Sequence, residues 1–435
     1  NSYDYYICKM ESHSVLIIGS GGRENALAWK ISQSEFCKKL FIAPGNAGTS
    51  YLGVNVEISI SDFIAIRDLI MMNKISVVII GPEAPLVNGL HDYLCNEIKD
   101  ENFIVIGPKK KGAILEGSKE FAKNFMIRHK IPTARHRTFN KNNIHEANEF
   151  LESLNPPYVL KADGLAAGKG VLILTDLNEA KKSLENMILK KKFGQASERV
   201  VIEEYLKGIE VSSFVLTDGK TYKIFPMAKD YKRIGIGDTG LNTGGMGAIS
   251  PVPFVDDKLF KKIENQIIQP TINGLKKDNI DYTGFLFIGL MIVKNEPYVI
   301  EYNVRLGDPE TEAIVPRIES DLLEIFLKLK NSHLQNISLK VSQLFSSTVM
   351  TVSKGYPEKY DKGKVISGLD CKNDSLIFHS GTKKESQNIV TSGGRVIAVT
   401  SLDKSLNKSI QKSYKTISKI DFEGKTFRKD IGYDL

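Results

Sequence analysis

The residue types best suited to chemistry lie in two short segments that are far apart in the chain. KADGLAAGKGV at 161–171 is a glycine-rich turn with two lysines, and EYNVRLGDPE at 301–310 spaces Glu301, Asn303 and Arg305 two residues apart. Backbone N–H and ammonium groups hold polyphosphate, whereas carboxylate and amide oxygens hold Mg2+. Together the two segments predict a nucleoside triphosphate site, although either alone would be weak evidence.

The glycine-rich turn is not a Walker loop, because it lacks GxxxxGK[ST] and lies between two strand-like stretches. Gly164, Gly168 and Gly170 allow backbone N–H groups to approach a phosphate closely, and Lys161 and Lys169 would neutralise its oxygens. A structural hairpin would account for the glycines but not for two inward lysines. We therefore favour a phosphate-binding flap.

The segment EEYLKGIE at 203–210 is compatible with two interpretations. In the first, backbone groups from Glu204 to Leu206 pair with the edge of an adenine and Glu210 accepts the ribose hydroxyls. In the second, the segment is a half-exposed edge strand with surface acids. The residues alone leave the two interpretations equally supported.

The second segment combines candidate metal ligands with a guanidinium. Glu301, Asn303 and Arg305 share one face of a strand because side chains alternate, and Asp308 and Glu310 follow in a loop. A guanidinium can hold a carboxylate or a developing phosphate by two parallel bonds. A solvated strand face could look similar, but the preceding alternation is strongly apolar. We therefore interpret the cluster as functional.

RIGIGDTGLNTGGMGAISP at 233–251 contains six glycines and only scattered apolar residues. Such a segment cannot build a core by itself, so we expect an ordered loop held by ligands or a mobile one. Asp238, Asn242 and Thr243 are small polar residues suited to an amine and hydroxyls. The segment is interpreted as a substrate loop.

GSGGRE at 19–24 departs from the dinucleotide-binding fingerprint, because Glu24 stands where the third glycine belongs. A helix start with backbone N–H groups and Arg23 nearby suits a monophosphate at least as well as a dinucleotide pyrophosphate.

These residues are positioned by elements that the apolar pattern predicts. In residues 13–115, strand-like runs alternate with helical stretches, which indicates a Rossmann-like parallel sheet with its ligands at the carboxyl edge. Ser118 is expected to cap a helix over 118–130, and strand-like runs flank the glycine-rich turn. From about 346 the chain becomes a series of short strands and a Lys-rich, helix-like tail. We expect an extension at 1–12 and domains at 13–115, 116–345, with a small lobe at about 132–200, and 346–435.

Composition excludes several classes of protein. The chain has 435 residues, 42% of them hydrophobic, and a net charge of +8 without a clustered basic stripe. Four scattered cysteines argue against a zinc site or a disulfide framework, and favour a reducing cytoplasm. The seven histidines form no catalytic triad with serine or cysteine. The longest apolar run, GFLFIGLMIV at 284–293, is about half of the roughly 18 residues that a membrane-spanning helix needs.

Taken in order, the motifs resemble the ATP-grasp superfamily and, within it, the glycinamide ribonucleotide synthetase family. The resemblance covers residues 14 to about 400. The motifs are specific to this family when they occur together in this order, whereas any single motif is not. It rests on GSGGRE, PGNAGT (44–49), GPEAPLV (82–87), LEGSK (115–119), IPTA (131–134), KADGLAAGKGV, DTG-NTGGMGA (238–248), YTGFL (282–286), GDPE (307–310) and SGGRV (392–396). Two departures are Asn25, where the family usually has His, and Leu241, where it has Pro.

The resemblance implies an α/β fold with an N-terminal Rossmann-like domain, a central two-lobed ATP-grasp fold and a small, mostly β C-terminal domain. It implies ATP as co-substrate and Mg2+ or Mn2+ held by Glu301 and Asn303. It makes Arg305, Asp238 and Lys161 the catalytic residues. The implied ATP contacts are Lys119, Lys161, Gly164, Gly168, Lys169, Gly170, Glu203, Glu204, Tyr205, Leu206 and Glu210.

The resemblance also implies glycine and 5-phosphoribosylamine as small-molecule substrates. Glycinamide ribonucleotide would form through glycyl phosphate in purine biosynthesis, by a cytoplasmic monomer or weak homodimer without nucleic-acid or membrane partners. The implied substrate contacts are Gly21, Gly22, Arg23, Glu24, Pro44, Gly45, Asn46, Gly81, Pro82, Glu83, Asp238, Asn242, Thr243, Gly244, Gly245, Arg305, Gly307, Asp308 and Pro309.

Three alternatives stay open. Another ATP-grasp ligase would share the nucleotide site but not DTG-NTGGMG and GPEAP. A nicotinamide-dependent oxidoreductase would use the Rossmann-like unit, and Glu24 counts against it. A basic nucleic-acid-binding protein would need a clustered basic stripe with interleaved aromatic residues.

Overall fold

The computed structural model describes residues 12–166, 170–330 and 334–435. The predicted flap residues Gly168 and Lys169 lie outside these ranges, as does the predicted extension up to residue 11.

The N-terminal region is a parallel five-stranded sheet in the order β3-β2-β1-β4-β5. Residues 15–18 are fully buried because helices cover both faces of the sheet. The strand order reverses between β1 and β4, which creates a crevice at their carboxyl ends, as the sequence predicted. The elements are β1 (His13–Gly19), α1 (Gly22–Ile31), β2 (Cys37–Pro44), β3 (Val54–Asn55), α2 (Phe63–Asn73), β4 (Ile75–Ile80), α3 (Glu83–Val87), α4 (Leu90–Glu97), β5 (Ile104–Ile106) and α5 (Lys110–Gly117).

A small lobe follows the next helix, α6 (Lys119–Arg128), which Ser118 caps as predicted by accepting from the Phe121 N–H. The lobe is an antiparallel sheet in the order β6-β9-β7-β8. Strands β7 and β8 pair on either side of the glycine-rich turn, which confirms the predicted hairpin. The elements are β6 (His136–Asn140), α7 (Ile144–Glu152), β7 (Tyr158–Ala162), β8 (Val171–Leu174), α8 (Leu177–Ile188) and β9 (Arg199–Glu204).

The central elements belong mostly to a second, larger antiparallel sheet. The apolar run at 284–293 and the strand before Arg305 form an antiparallel pair, β15 with β16. The elements are β10 (Ile209–Thr217), β11 (Tyr222–Asp230), β12 (Arg233–Gly235), β13 (Thr239–Asn242), β14 (Gly247–Ser250), α9 (Asp257–Ile263), α10 (Gln269–Lys277), β15 (Gly284–Val293), β16 (Glu296–Asn303), α11 (Glu310–Ile314) and α12 (Leu322–Leu329).

The C-terminal region extends this larger sheet, which has nine strands. Its main path is β16-β15-β10-β11-β14-β17-β21-β18, with β22 beside β17. The sequence predicted a series of short strands here, and the first of them joins the two regions, because Ser346 to Val349 of β17 pair with β14. The elements are β17 (Phe345–Val352), β18 (Leu376–His379), β19 (Thr382–Glu385), β20 (Asn388–Thr391), β21 (Arg395–Asp403), α13 (Leu406–Ile417) and β22 (Thr426–Phe427).

The glycine-rich segment at 233–251 is more regular than expected. Strands β12 and β13 form a two-stranded hairpin, and β14 belongs to the large sheet. The expectation of a loop throughout this segment, ordered by ligands or mobile, was therefore wrong for these strands. Among the helices of the described ranges, none is both long and apolar enough to cross a lipid bilayer.

Candidate active site

A buried cluster of two lysines and a carboxylate lies between α6 and the small lobe. Glu203 forms ion pairs with Lys161 at 3.0 Å and with Lys123 at 3.1 Å, and all three side chains are nearly inaccessible. Burial lowers the pKa of Lys123 to about 8, although Glu203 opposes this shift. Burial would raise the pKa of Glu203, but Lys161 and Lys123 outweigh it and lower that pKa. The cluster is a buried site with more ammonium groups than carboxylates.

The glycine-rich turn faces the first turn of α6. Lys119 Nζ lies 3.4 Å from the Gly164 carbonyl oxygen, and the Asp163 carboxylate accepts from the Ser118 hydroxyl and the Glu120 N–H. Burial lowers the pKa of Lys119, while Glu301 opposes the shift. Lys119, at the start of α6, thus lies beside the glycine-rich turn, although the two segments are far apart in the sequence.

The turn and the predicted metal ligands approach each other. Lys161 Nζ lies 3.5 Å from the Ile300 carbonyl oxygen, immediately before Glu301. Burial would raise the pKa of Glu301, but the ammonium groups of Lys232, Lys161 and Lys119 outweigh it and lower that pKa. The glycine-rich turn at 161–171 and the segment at 301–310 therefore meet at one site.

Glu301 and Asn303 provide oxygen ligands on one face of β16. Asn303 Nδ2 lies 3.5 Å from Glu301 Oε1, and Asn303 Oδ1 accepts from Arg305 at 3.4 Å. No group of three or more His, Cys, Asp or Glu side chains within 12–166, 170–330 and 334–435 could hold a metal ion. One carboxylate and one amide oxygen fit Mg2+, which takes its remaining ligands from phosphates and water.

Arg305 connects the end of β16 to helices α3 and α5 of the N-terminal region. Its guanidinium contacts Glu116 at 2.8 Å and Glu83 at 3.3 Å. Glu116 also accepts from the Val304 N–H at 2.8 Å. Burial raises the pKa of Glu116 despite Arg305, whereas Arg305 and Arg23 lower the pKa of Glu83 against the effect of burial. The guanidinium is therefore fixed at the edge of the crevice.

The start of α1 differs from the phosphate cradle that was expected. The Gly21 N–H donates to Glu24 at 2.7 Å, and the Arg23 N–H donates to Asp308 at 3.1 Å. Glu24 also accepts from the Arg23 side chain and fills the space beside Gly81, where a Cβ atom would lie 1.9 Å from its Oε1. Two backbone donors are thus already paired with carboxylates. The side chain of Glu24, which stands at the position of the third glycine in the fingerprint, occupies the space beside Gly81.

The loop after β2 is tied to the C-terminal region. The Asn46 side chain donates to Ser20 O at 2.9 Å and to His379 O at 2.8 Å. The His379 N–H in turn donates to Asn25 Oδ1 at 2.6 Å. Pro44 ends β2 opposite Gly19, and Gly45 has φ +75°. Asn25 therefore has a structural partner at the position where the related family usually has His.

The predicted substrate loop contacts the GDPE loop. Thr243 donates to Lys232 O through its hydroxyl and its N–H, and Asn242 pairs with Arg233 across the hairpin. Gly245 packs so closely against Pro309 that a Cβ would lie 2.4 Å from the proline ring. This contact brings the end of the loop next to the segment that follows Arg305.

Arg395 fixes this junction from the C-terminal region. Its guanidinium donates to Gly244 O at 2.9 Å and to Asp308 O at 2.6 Å, and contacts the Asp308 carboxylate at 3.2 Å. The next acid in the GDPE loop, Glu310, lies folded against Gly307 and is buried. Burial, reinforced by Asp230, raises the pKa of Glu310 to about 8.

Asp238, at the tip of the hairpin, contacts residues near the C-terminus. Arg428 contacts one of its carboxylate oxygens at 2.5 Å and the Tyr433 hydroxyl donates to the other at 3.0 Å. The catalytic role of Asp238 stays a prediction. The sequence did not indicate that Arg428 and Tyr433 would contact it.

Some of the polar groups in the predicted adenine-binding segment already have partners within the protein. The Glu204 N–H donates to Arg135 O at 2.9 Å, while Tyr205 is 42% exposed and Leu206 is half-buried. Glu210 contacts Lys232 at 2.6 Å. The Glu204 N–H is therefore not free to pair with a base, and the adenine-binding role of the segment stays a prediction.

Sequence reasoning missed four charged residues that organise the site. Lys123 follows Lys119 by one helical turn, so the spacing on α6 was a usable signal. Glu116 and Arg395 lie inside LEGSK and SGGRV, which were noted only as motifs. Lys232 had no signal beyond its position before the glycine-rich segment.

Three matches to known protein domains identify the class and the family of this chain. Residues 117–311 match the ATP-grasp (A) domain of phosphoribosylglycinamide synthetase, which makes the chain an ATP-grasp enzyme. Residues 13–116 match the N domain and 346–434 the C domain of the same synthetase. The chain therefore belongs to the phosphoribosylglycinamide synthetase family.

Individual relatives agree with this assignment. Phosphoribosylamine–glycine ligase of Chlorobaculum tepidum is 43% identical over 425 residues, which cover 96% of this chain and 99% of the relative. The crystal structure of the Thermotoga maritima phosphoribosylamine–glycine ligase superposes with a TM-score of 0.83 at 35% identity, covering 96% and 99% of the two chains.

A more distant structure shares the fold alone. The biotin carboxylase domain of the Hydrogenobacter thermophilus 2-oxoglutarate carboxylase superposes with a TM-score of 0.73 at 14% identity, covering 96% of this chain and 92% of that one. Its crystal structure holds the magnesium salt of ADP.

The chain is accordingly an ATP-dependent ligase of purine biosynthesis that joins glycine to 5-phosphoribosylamine. Its class uses ATP with a divalent cation. The alternatives of a nicotinamide-dependent oxidoreductase and a nucleic-acid-binding protein were wrong.

Proposed function

We propose that ligation proceeds through glycyl phosphate, formed where the glycine-rich turn meets the end of β16. The observation that supports this site most directly is the 3.5 Å distance between Lys161 Nζ and the carbonyl oxygen of Ile300, next to Glu301. This contact brings candidate phosphate-binding and metal-binding groups together.

In the first step, a glycine carboxylate oxygen attacks the γ-phosphorus of ATP. The new O–P bond replaces the bond to the β–γ bridging oxygen, and ADP leaves. Lys119 and Lys161 bind phosphate oxygens, and the ammonium groups offset charge that would otherwise repel the carboxylate. A divalent cation, Mg2+ or Mn2+, held by Glu301 and Asn303 would neutralise phosphate charge when bound.

In the second step, the amine of phosphoribosylamine attacks the acyl carbon. An N–C bond forms, the C–O bond to the phosphate breaks, and the nitrogen loses a proton as phosphate leaves. Arg305 stabilises the charge of the acyl phosphate, since Glu116 and Glu83 already fix its orientation. Because reactants held in place react with a high effective concentration, no protein nucleophile is needed.

The substrate contacts are part of the same proposal. Asp238, Asn242, Thr243, Gly244 and Gly245 would hold glycine beside Arg305. The ends of β1, β2 and β4, with Gly307, Asp308 and Pro309, would enclose phosphoribosylamine. Because Glu24 and Asp308 already accept from the start of α1, the phosphate would use the neighbouring donors of the crevice.

Labelled glycine tests the intermediate. With 18O in the glycine carboxylate, attack on the γ-phosphorus transfers one labelled oxygen to the released phosphate, which mass spectrometry detects. Production of AMP and pyrophosphate, or phosphate without label, would contradict the proposed route while leaving the ligase assignment intact.

Three broader expectations belong to the same proposal. The enzyme acts in the cytoplasm as a monomer or weak homodimer, and its domains lie at 13–115, 116–345 and 346–435. Cys37, Cys95 and Cys371 are free thiols, as a reducing compartment would keep them. Light scattering of the purified chain across a concentration series would measure its mass and test the oligomeric state.

A further inference from the structure

The last residues of the chain surround the tip of the β12–β13 hairpin. Arg428 is only 1% exposed and holds Asp430 by two hydrogen bonds of 2.9 and 2.8 Å. The same guanidinium contacts Asp238 Oδ1 at 2.5 Å and Arg233 O at 3.3 Å. Asp430 also accepts from the Gly237 N–H at 2.7 Å. One buried cation thus connects the C-terminal segment to both sides of the hairpin turn.

A second contact acts on the same carboxylate. The Tyr433 hydroxyl donates to Asp238 Oδ2 at 3.0 Å, so each oxygen of Asp238 has a partner from the C-terminal segment. Asp238 has φ +55°, an uncommon conformation for a residue other than glycine. Neighbouring contacts keep the segment in place, because Asp434 accepts from Tyr231 at 2.8 Å and contacts Lys229 at 3.0 Å.

Asp238 keeps the capacity to bind a substrate. Its side chain is 40% exposed, and a carboxylate offers about four acceptor positions, of which Arg428 and Tyr433 use two. An ammonium group approaching from solvent would meet a carboxylate that is already oriented and still has free lone pairs.

We propose that Arg428 and Tyr433 are positioning residues for the amino-acid substrate, which orient the Asp238 carboxylate toward the ammonium group of glycine. This inference rests on the proposed function, in which Asp238 belongs to the glycine site. It assigns to the end of the chain a role in amino-acid recognition, separate from the nucleotide site at Lys119 and Lys161.

The test measures KM for glycine and for ATP in the full-length enzyme with saturating, freshly generated phosphoribosylamine. Tyr433→Phe removes one hydrogen bond to a charged acceptor, so glycine KM should rise about three- to tenfold. Arg428→Lys keeps the charge but cannot hold two carboxylates with a planar fork, so its glycine KM should rise about tenfold. ATP KM should stay unchanged in both variants.

Controls separate a local effect from a general loss of structure. Tyr51→Phe removes the hydroxyl of a tyrosine that is 67% exposed in the N-terminal region, and should leave both KM values unchanged. Because Tyr433 acts through Asp238, Tyr433→Phe should add nothing in an Asp238→Asn background. Independent, multiplicative effects in this double variant would overturn the inference.

The remaining outcomes distinguish the two proposals. Unchanged glycine KM in Tyr433→Phe, or an equal rise in glycine and ATP KM, overturns the positioning role alone if Asp238→Asn raises glycine KM. A normal glycine KM in Asp238→Asn overturns the glycine role of Asp238 and the positioning role with it.

Discussion

The guanidinium of Arg305 lies 2.8 Å from the carboxylate of Glu116, a residue 189 positions earlier in the chain. Glu116 also accepts from the Val304 N–H, so one buried carboxylate fixes both the backbone before Arg305 and its side chain. Such a pair restricts the guanidinium to one orientation before substrates bind, which reduces the reorganisation needed during the reaction.

Arg305→Ala should lower turnover by a factor on the order of 100 to 1,000, because it removes a fixed donor to the transferring group. ATP affinity should change little, since the proposed phosphate contacts belong to Lys119 and Lys161. Steady-state kinetics and equilibrium ATP binding measure the two quantities. Arg305→Lys should restore little, because an ammonium group cannot form two parallel bonds. Near-normal turnover in Arg305→Ala would remove this residue from the mechanism.

Glu301→Gln should raise the Mg2+ concentration required for half-maximal activity by roughly tenfold or more, because a charged ligand becomes neutral. A Mg2+ titration at fixed ATP gives this value. Glu296→Gln is a matched control on the same strand, where Glu296 is half exposed and pairs with Lys262. A normal Mg2+ requirement in Glu301→Gln would show that another group is the ligand.

Glu203→Gln should destabilise the protein by about 3–5 kcal/mol, because it leaves Lys123 and Lys161 buried without their shared carboxylate. Urea unfolding followed by tryptophan fluorescence and circular dichroism would show the loss. Glu198→Gln removes an exposed carboxylate paired with Lys191 and should have little effect. Equal stability of the two variants would argue against a buried charge cluster.

The stability of the protein should fall as the pH drops below 6.5, in part because of His379. Burial, with nearby Lys384, lowers the pKa of His379 to about 4 in the folded chain. Between the unfolded and folded pKa values only the unfolded chain takes up this proton, so acid favours unfolding. Above 6.5 the imidazole is neutral in both states and contributes no pH dependence.

Between about pH 7.5 and about pH 5, His379 should account for a loss of about 2 kcal/mol in the free energy of unfolding. Urea titrations at both pH values, compared with His379→Gln, isolate this contribution from those of other groups. An identical pH dependence in the two proteins would contradict the lowered pKa.

Local patterns in the sequence predicted the elements that depend on neighbouring residues. The Ser118 cap and the β7–β8 hairpin around the glycine-rich turn are encoded within a few positions, so a single sequence suffices for them. The meeting of this turn with β16 was predicted from chemistry, because phosphate-binding and metal-binding residues are useful only together.

Contacts between distant segments could not be predicted in this way. Asn25 and His379 are 354 positions apart, and neither residue type indicates the other. The segment at 233–251 was expected to be a loop because its own residues do not reveal what holds the hairpin. Its contacts come from Arg428 and Asp430, which lie near the C-terminus. Likewise, the residues of β17 predict a short strand but not that its neighbour is β14.

The shared nine-stranded sheet has a consequence for biosynthesis on the ribosome. Until Phe345–Val352 has emerged, β14 exposes a row of unpaired amide and carbonyl groups, and such an edge is prone to join other chains. A nascent polypeptide arrested near residue 345 would therefore aggregate more readily than the finished product, and chaperone demand should be greatest during the interval before β17 docks.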